Sequence, residues 1–350
     1  MSTKRNKRKS SGKTIHITFD QVIEALLDES KPFHPRNLYR FSDIEGTDLQ
    51  ELEQAWPNVS VRRRRAILED IEELGETNYT LSFEAFCIYT LSDDDPQVRE
   101  LSVRALWEYD SKFLIPDFMD LLANDPEATV RAAAATALGK YIYLGELEEV
   151  PELTLNDVFD QLMQVHNTSD DSLVRRRALE SLGFSSREEV TSLITAAFNS
   201  GKPEWVVSAL FAMGRSANSR WSDHVLEMLE SDNTEIRYEA IRASGELEIK
   251  RALPYLLNLL SEEDSEARLA AVWSLSQIGG EDVQEALEQL YDDTYDEEEA
   301  EFIDLALENL QFTEDMEIFD MFEFLPDDEE GKNNGHGGYD REDNYVEEDD

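Results

Sequence analysis

The sequence predicts an all-α protein built as an α-solenoid, a superhelical stack of about eight antiparallel helix pairs. One pattern recurs along the chain, and the apolar residues within each copy recur at intervals of three and four, as on one face of a helix. In DPEATVRAAAATALG (125–139), an apolar residue is followed by arginine, by small residues at +4 and +7, by leucine at +8 and by glycine at +9. A repeated unit of this kind is typical of a solenoid rather than of one globular core.

Eight copies are placed by an anchor, which is the first apolar residue of the copy except in the last one; the copies that begin near Val61 and Glu299 are weaker. The successive spacings are 37, 32, 44, 31, 31, 31 and 32 residues. The anchors are Val61, Val98, Val130, Val174, Trp205, Ile236, Ala267 and Glu299. The 44-residue spacing contains LGELEEVPELTL (144–155), which either projects as a recognition loop or belongs to a longer helix and turn.

Each copy predicts a helix A, a short acidic turn and a helix B. Helix A is exemplified by FLIPDFMDLLAND (113–125) and ALPYLLNLLSEED (252–264). Pro116 and Pro254 stand where a first helical turn has no intrahelical use for its N–H. The repeated unit is therefore a helical hairpin.

The segment LPYLLNLL…EDSEARLAAVWSLSQIG resembles the HEAT and PBS-lyase HEAT-like repeats, over roughly residues 45–312. The resemblance implies a helical solenoid. It implies less about activity, because that family includes scaffolds, adaptors, bilin lyases and DNA glycosylases.

Four regions are predicted in chain order. Residues 1–14 form a disordered basic arm with six basic residues and no acid. Residues 15–44 cap the array, with a helix starting after Asp20 as N-cap. The repeat array covers 45–312, and 313–350 is an acidic, largely disordered tail in which MEIFDMFEFLP (316–326) is apolar enough to dock on the last repeat or on a partner.

The arginine at +1 lies on the flank of helix B that faces the next repeat, and acids precede several anchors by three to five positions. We predict that these groups form a structural ladder, because a guanidinium can bond a carboxylate or the turn carbonyls of a neighbouring repeat. The predicted arginines are Arg62, Arg99, Arg131, Arg175, Arg237 and Arg268, and the acids are Asp95, Asp125, Asp171, Asp232 and Asp264.

Small residues at +4 and +7 predict close approach of helix A to helix B. The glycines at +9, namely Gly139, Gly183, Gly214 and Gly245, are expected to end or loosen helix B.

Positions +2 and +6 point away from helix A, towards the open and usually concave side of a stack. In the N-terminal half they carry a mixed, mostly polar set: Arg63, Glu100, Arg104, Ala132, Thr136, Arg176 and Glu180. In the C-terminal half they carry the predicted partner-binding residues Val207, Phe211, Tyr238, Arg242, Leu269 and Trp273. The alternative is that adjacent B helices bury these side chains against each other. The many helix B arginines either form a basic groove or pair locally with acids.

The net charge of −46, from 78 acidic and 32 basic residues, argues against a nucleic-acid partner except through the arm 1–14. The single cysteine, Cys87, is expected to be a core thiol, and the five histidines have no metal-ligand spacing. No stretch has the length and apolar character of a membrane span or a signal peptide. A cytoplasmic monomer without cofactor or metal is expected.

These observations predict a non-catalytic scaffold or adaptor that binds another protein, with a basic or mixed-charge surface, on the open face of the C-terminal B helices. The resemblance implies an alternative, a bilin-lyase-like or chromophore-chaperone activity. A HEAT-like nucleic-acid enzyme is a third reading, against which the overall charge argues.

Overall fold

The computed structural model describes residues 17–168, 171–262 and 264–323. These residues form α-helices and short 3-10 turns and contain no β-strand, so the predicted all-α class is confirmed. The α-helices are α1 (Phe19–Leu27), α2 (Gly46–Ala55), α3 (Val61–Thr77), α4 (Glu84–Thr90), α5 (Pro96–Ala105), α6 (Ile115–Asn124), α7 (Ala128–Glu146), α8 (Glu152–Asn167), α9 (Ser172–Leu182), α10 (Glu188–Phe198), α11 (Pro203–Arg215), α12 (Ser222–Met228), α13 (Thr234–Glu246), α14 (Leu253–Leu259), α15 (Ser265–Ile278), α16 (Glu281–Asp293) and α17 (Glu297–Glu323).

The helices alternate between two layers. From α4 onward, each even-numbered A helix packs against the odd-numbered B helix that follows it. With α2 and α3, the described part of the chain contains eight such pairs in sequence order, which confirms the predicted solenoid. No helix among the described residues has both the length and the apolar character needed to cross a bilayer.

The B helices α3, α5, α7, α9, α11, α13, α15 and α17 pack directly on one another along the stack, whereas successive A helices contact each other only weakly. The B layer is therefore the shorter, inner side of the curved stack. Side chains that point away from the A helices face this inner side.

Glycines in the B helices mark the closest approaches between repeats. A methyl group at Gly183 would lie 2.7 Å from the Ala212 Cα, and one at Gly245 would lie 2.7 Å from the Ser274 Cα. Ala212 and Ser274 are the +7 residues of the next B helix. Position +7 therefore serves contact between B helices as well. Gly183 is the C-cap of α9, as expected, and Gly214 and Gly245 lie in the last turns of α11 and α13, whereas Gly139 lies inside α7.

The N-cap of the first helix lies two residues before the predicted one. Thr18 is the N-cap of α1, its N–H donates to Gln21 Oε1 at 3.1 Å, and Asp20 lies in the first turn. At the other end, α17 runs through the predicted boundary at 312 to Glu323. The basic arm 1–14 and residues 324–350 of the predicted tail lie outside the described residues.

The arginines of the predicted ladder share one position, the fourth residue after the N-cap of their B helix. There they donate to carbonyls of their own repeat, in the last turn of helix A or in the turn that follows it, where backbone acceptors lack intrahelical partners. The bonds are Arg99 to Asp93 O (2.8 Å), Arg131 to Asp125 O (2.8 Å), Arg175 to His166 O (2.8 Å), Arg237 to Ser231 O (3.0 Å) and Arg268 to Glu262 O (2.6 Å).

Arg62 departs from this pattern because the N-cap of α3 is Ser60, which places Arg64 at the fourth position. Arg62 is exposed, whereas Arg64 is buried and donates to both carboxylate oxygens of Asp93 at 2.7 and 2.6 Å. Beside it, Arg65 donates to Asp95. The first link of the ladder therefore lies two to three residues beyond the predicted one.

The predicted acids divide into three kinds. Asp95 and Asp125 accept guanidinium hydrogen bonds from the preceding B helix, Asp125 from Arg99. Asp171 and Asp264 cap their own B helices by accepting from Leu173 N and Ala267 N. Asp232 is exposed, and the adjacent Asn233 caps α13 instead. The last link is made by Arg268 and Glu299, at 2.8 Å.

The long interval between the third and fourth anchors contains no projecting loop. Residues 144–146 complete α7, 152–155 begin α8, and both helices are longer than their neighbours. The alternative of a recognition loop at 144–155 is therefore wrong.

Candidate functional site

The inner side of the stack carries a groove of about 420 Å³ between α3, α5, α7 and α9. Its lining includes the +2 and +6 residues of two repeats, Glu100, Arg104, Ala132 and Thr136. In this groove, positions +2 and +6 line an open surface, as predicted. The larger opening lies in the N-terminal half, however, and not among the C-terminal residues selected from the sequence.

The groove is lined by small side chains and by one large aromatic side chain, that of Trp107. Ala132, Ala133 and Ala137 of α7 line it, and opposite them stands Trp107, whose side chain is 38% exposed. Trp107 occupies the +9 position that is glycine in four later repeats. Trp107 thus places a large side chain beside the small side chains of the next B helix.

Trp107 is held in place from one side. The Lys140 ammonium donates to the Trp107 carbonyl at 2.6 Å and lies 5.8 Å from its ring centroid, within cation–π distance. An exposed, oriented tryptophan beside a small-residue floor is a typical anchor point of a protein interface.

The two arginines of the groove lining pair locally. Arg104 donates to Glu72 at 2.8 Å, and Arg177 donates to Glu180 at 2.5 Å. Elsewhere on the B helices Arg215 pairs with Glu246 at 3.4 Å. Local pairing, rather than an open basic groove, therefore accounts for these arginines.

The six predicted partner-binding residues all lie on B helices, and none is fully buried. Five are half-buried and Trp273 is 38% exposed. They form small separate clusters: Val207 and Tyr238 line one cavity, Phe211 lies 5.0 Å from the Arg215 guanidinium, and Trp273 lies 6.2 Å from Phe302, ring to ring. Arg242 contacts Glu239 and Glu246, each at 3.6 Å, and Leu269 lies on α15 one turn before Trp273.

Beneath these residues lies a buried polar layer, formed by Ser208, Glu180 and Glu239, that the repeat pattern does not predict. Ser208, fully buried on α11, donates to Glu180 of α9 at 2.6 Å. Glu239 of α13 is 7% exposed, and burial raises its pKa to about 7, helped by the nearby Glu246 and Glu180 charges and opposed by Arg242 and Arg215. A serine at an otherwise apolar helix position was the available sequence signal for this layer.

Replacing Glu239 with glutamine should make the protein less sensitive to pH. A carboxyl whose pKa rises from 4.5 to about 7 on folding stabilises the fold below pH 4.5, and this contribution is lost as pH rises through 7. The free energy of unfolding of Glu239→Gln, taken relative to that of wild type, should therefore be higher at pH 8 than at pH 5. Urea unfolding at both pH values measures this, with the exposed Glu230→Gln as control; parallel pH dependence of all three proteins would contradict it.

Candidate chemistry within the described residues is limited. Cys87 is buried, and burial raises the pKa of its thiol far above the ordinary range, which suppresses the thiolate. His166 is buried between helices, where desolvation lowers its pKa and its Nδ1 contacts the Arg175 carbonyl at 3.1 Å. Across residues 17–168, 171–262 and 264–323, no three His, Cys, Asp or Glu side chains are placed to hold a metal ion.

Comparison with known families gives one match, to HEAT repeats, over residues 84–157 and 222–304. The two segments include pairs from α4 to α8 and from α12 to α17. Comparison with curated proteins gives no match.

Solved structures with a similar chain path share little sequence. The YibA protein of Escherichia coli is 18% identical with a TM-score of 0.41, covering 80% of this chain and 98% of its own. The CpcE and CpcF complex of phycocyanin lyase from a Nostoc species is 17% identical with a TM-score of 0.45, covering 65% and 94%. Human deoxyhypusine hydroxylase is 16% identical with a TM-score of 0.33, covering 74% and 95%. These similarities say nothing about a reaction or a ligand.

Proposed function

We propose that this chain, which matches HEAT repeats over residues 84–157 and 222–304, is a non-catalytic scaffold or adaptor that binds a partner protein on the inner face of its B helices. The observation that carries the proposal is the groove of about 420 Å³ beside Trp107. It combines a small-residue floor, an exposed aromatic ring and a rim of paired charges, the composition of a protein-binding hot spot with its polar surround.

The main proposed contact lies in the N-terminal half of the inner face, whereas the sequence placed it in the C-terminal half. Val207, Phe211, Tyr238, Arg242, Leu269 and Trp273 remain proposed contacts, because they lie on the same layer of B helices and keep accessible surface. A partner that lies along the inner face would contact both the Trp107 groove and these residues. Charged residues of both signs line the groove, which suits a partner with a basic or mixed-charge surface.

Site-specific photo-crosslinking in the source cells should locate the partner. A photoreactive amino acid at Thr136, which is exposed and lines the groove, should crosslink a protein that the same probe at Leu153 does not capture. Leu153 is 80% exposed and lies outside the groove lining, so it controls for random collision. Adding Trp107→Ala should weaken binding, and with it the Thr136 crosslink, about thirtyfold, since an aromatic hot-spot residue contributes about 2 kcal/mol or more.

Phe113→Ala is the matched control for the tryptophan substitution. Phe113 is 90% exposed and does not line the groove, so its removal should leave the Thr136 crosslink unchanged. Equal crosslinking from Thr136 and Leu153, or an undiminished crosslink in Trp107→Ala, would refute binding in this groove.

A further inference from the structure

A second, smaller cavity of about 230 Å³ lies between the first turns of α13 and α15. Four acidic residues border it: Glu235, Glu239, Asp264 and Glu266. Val207 and Tyr238 form its apolar wall, and Arg237 also borders it but donates to the Ser231 carbonyl at 3.0 Å.

Glu239 is unlike the other buried carboxylates of the inner face. Asp93, Asp125 and Glu180 each accept side-chain hydrogen bonds from arginine or serine. Glu239 is as buried as these, yet it accepts no hydrogen bond within the described residues. Its charged neighbour, Arg242 Nη1, stands at 3.6 Å, beyond hydrogen-bond distance.

A buried carboxylate without a donor is costly, and a donor that enters the cavity would remove that cost. The cavity wall restricts which donor fits. A long aliphatic stem can lie along Val207 and Tyr238 while its charged end reaches the carboxylates, which is how lysine and arginine side chains bury their methylene groups.

We propose that this cavity is a subsite that receives a lysine or arginine side chain of the partner protein. The inference rests on the proposed protein-binding function, because the partner supplies the side chain. Glu239 accepts the hydrogen bond, and the other three carboxylates supply a negative field that favours a cation over a neutral side chain.

Amino-acid amides test the subsite without any partner. Nα-acetyl-lysine amide and Nα-acetyl-arginine amide, titrated into the full chain and followed by NMR, should bind about tenfold more tightly to wild type than to Glu239→Gln, since a charge-assisted hydrogen bond is lost. The lysine probe with its ε-amine acetylated should not bind detectably. Glu230→Gln, which removes one exposed charge elsewhere, should bind as wild type does.

A second readout separates a ligand site from general attraction to an acidic protein. The carboxyl ¹³C signal that is absent from Glu239→Gln should titrate at a lower pH when the lysine probe is present, because a bound cation favours the carboxylate. Equal affinities for wild type and Glu239→Gln, or an unchanged Glu239 titration, would overturn the subsite. Neither result depends on the Thr136 crosslink, so failure here and failure of the proposed function are distinguishable.

Discussion

Replacing Asp125 with alanine should lower the free energy of unfolding by about 3–5 kcal/mol. Asp125 accepts hydrogen bonds from Arg99 Nε at 2.7 Å and Nη2 at 2.9 Å, and the two side chains are only 3% and 11% exposed. Alanine would leave the buried Arg99 guanidinium without its carboxylate partner, with only the Asp93 and Asp94 carbonyls as acceptors and the charges of Asp93 and Asp95 nearby. The bond joins α5 to the turn before α7, so its loss also weakens the contact between two repeats.

Urea unfolding followed by circular dichroism measures the effect. The matched control is Asp223→Ala, because Asp223 pairs with Arg251 at 2.6 Å but both side chains are exposed, and such pairs contribute little. The control should unfold as wild type does. The double variant Asp125→Ala with Arg99→Met should lose less than Asp125→Ala alone, since no uncompensated charge remains; an equal or larger loss would show that the ion pair is not the cause.

Repeat period and helix pairing could be predicted from the sequence because both depend on residues within one copy. The apolar spacing, the acidic turns and Pro116 or Pro254 are local signals, and local signals determine where helices begin. Arg62 shows the limit of this reasoning. Four consecutive arginines follow Val61, and only the N-cap at Ser60 decides that Arg64 takes the ladder position.

The groove could not be predicted in the same way because two different repeats create it. Its lining joins Trp107 to the α7 alanines across a repeat boundary, and helix spacing is set by both partners in a contact. Two features of the sequence indicated the groove. One copy has a tryptophan at the position where later copies have glycine, and the next copy has a run of alanines.

Substituting alanine for Gly183 should destabilise the protein by about 1–3 kcal/mol, through overpacking. The new methyl group would lie 2.7 Å from the Cα, 2.8 Å from the Cβ and 2.9 Å from the carbonyl oxygen of Ala212, so α9 and α11 would have to move apart. No rotamer change can relieve the clash, because the nearest atoms are mainly backbone. At Gly139 the nearest atom is the Ser181 hydroxyl oxygen at 2.8 Å, and the Ser181 Cβ and Cα follow at 3.0 and 3.2 Å.

Gly75→Ala gives the opposite expectation and so separates packing from helix propensity. Gly75 lies inside α3, and a methyl group there would meet nothing within 4 Å. Alanine should stabilise this helix by about 0.5–1 kcal/mol. Urea unfolding of the two variants should therefore shift in opposite directions. If Gly183→Ala were also stabilising, α9 and α11 would tolerate a wider spacing, and close contact between them would not be the reason for glycine at this position.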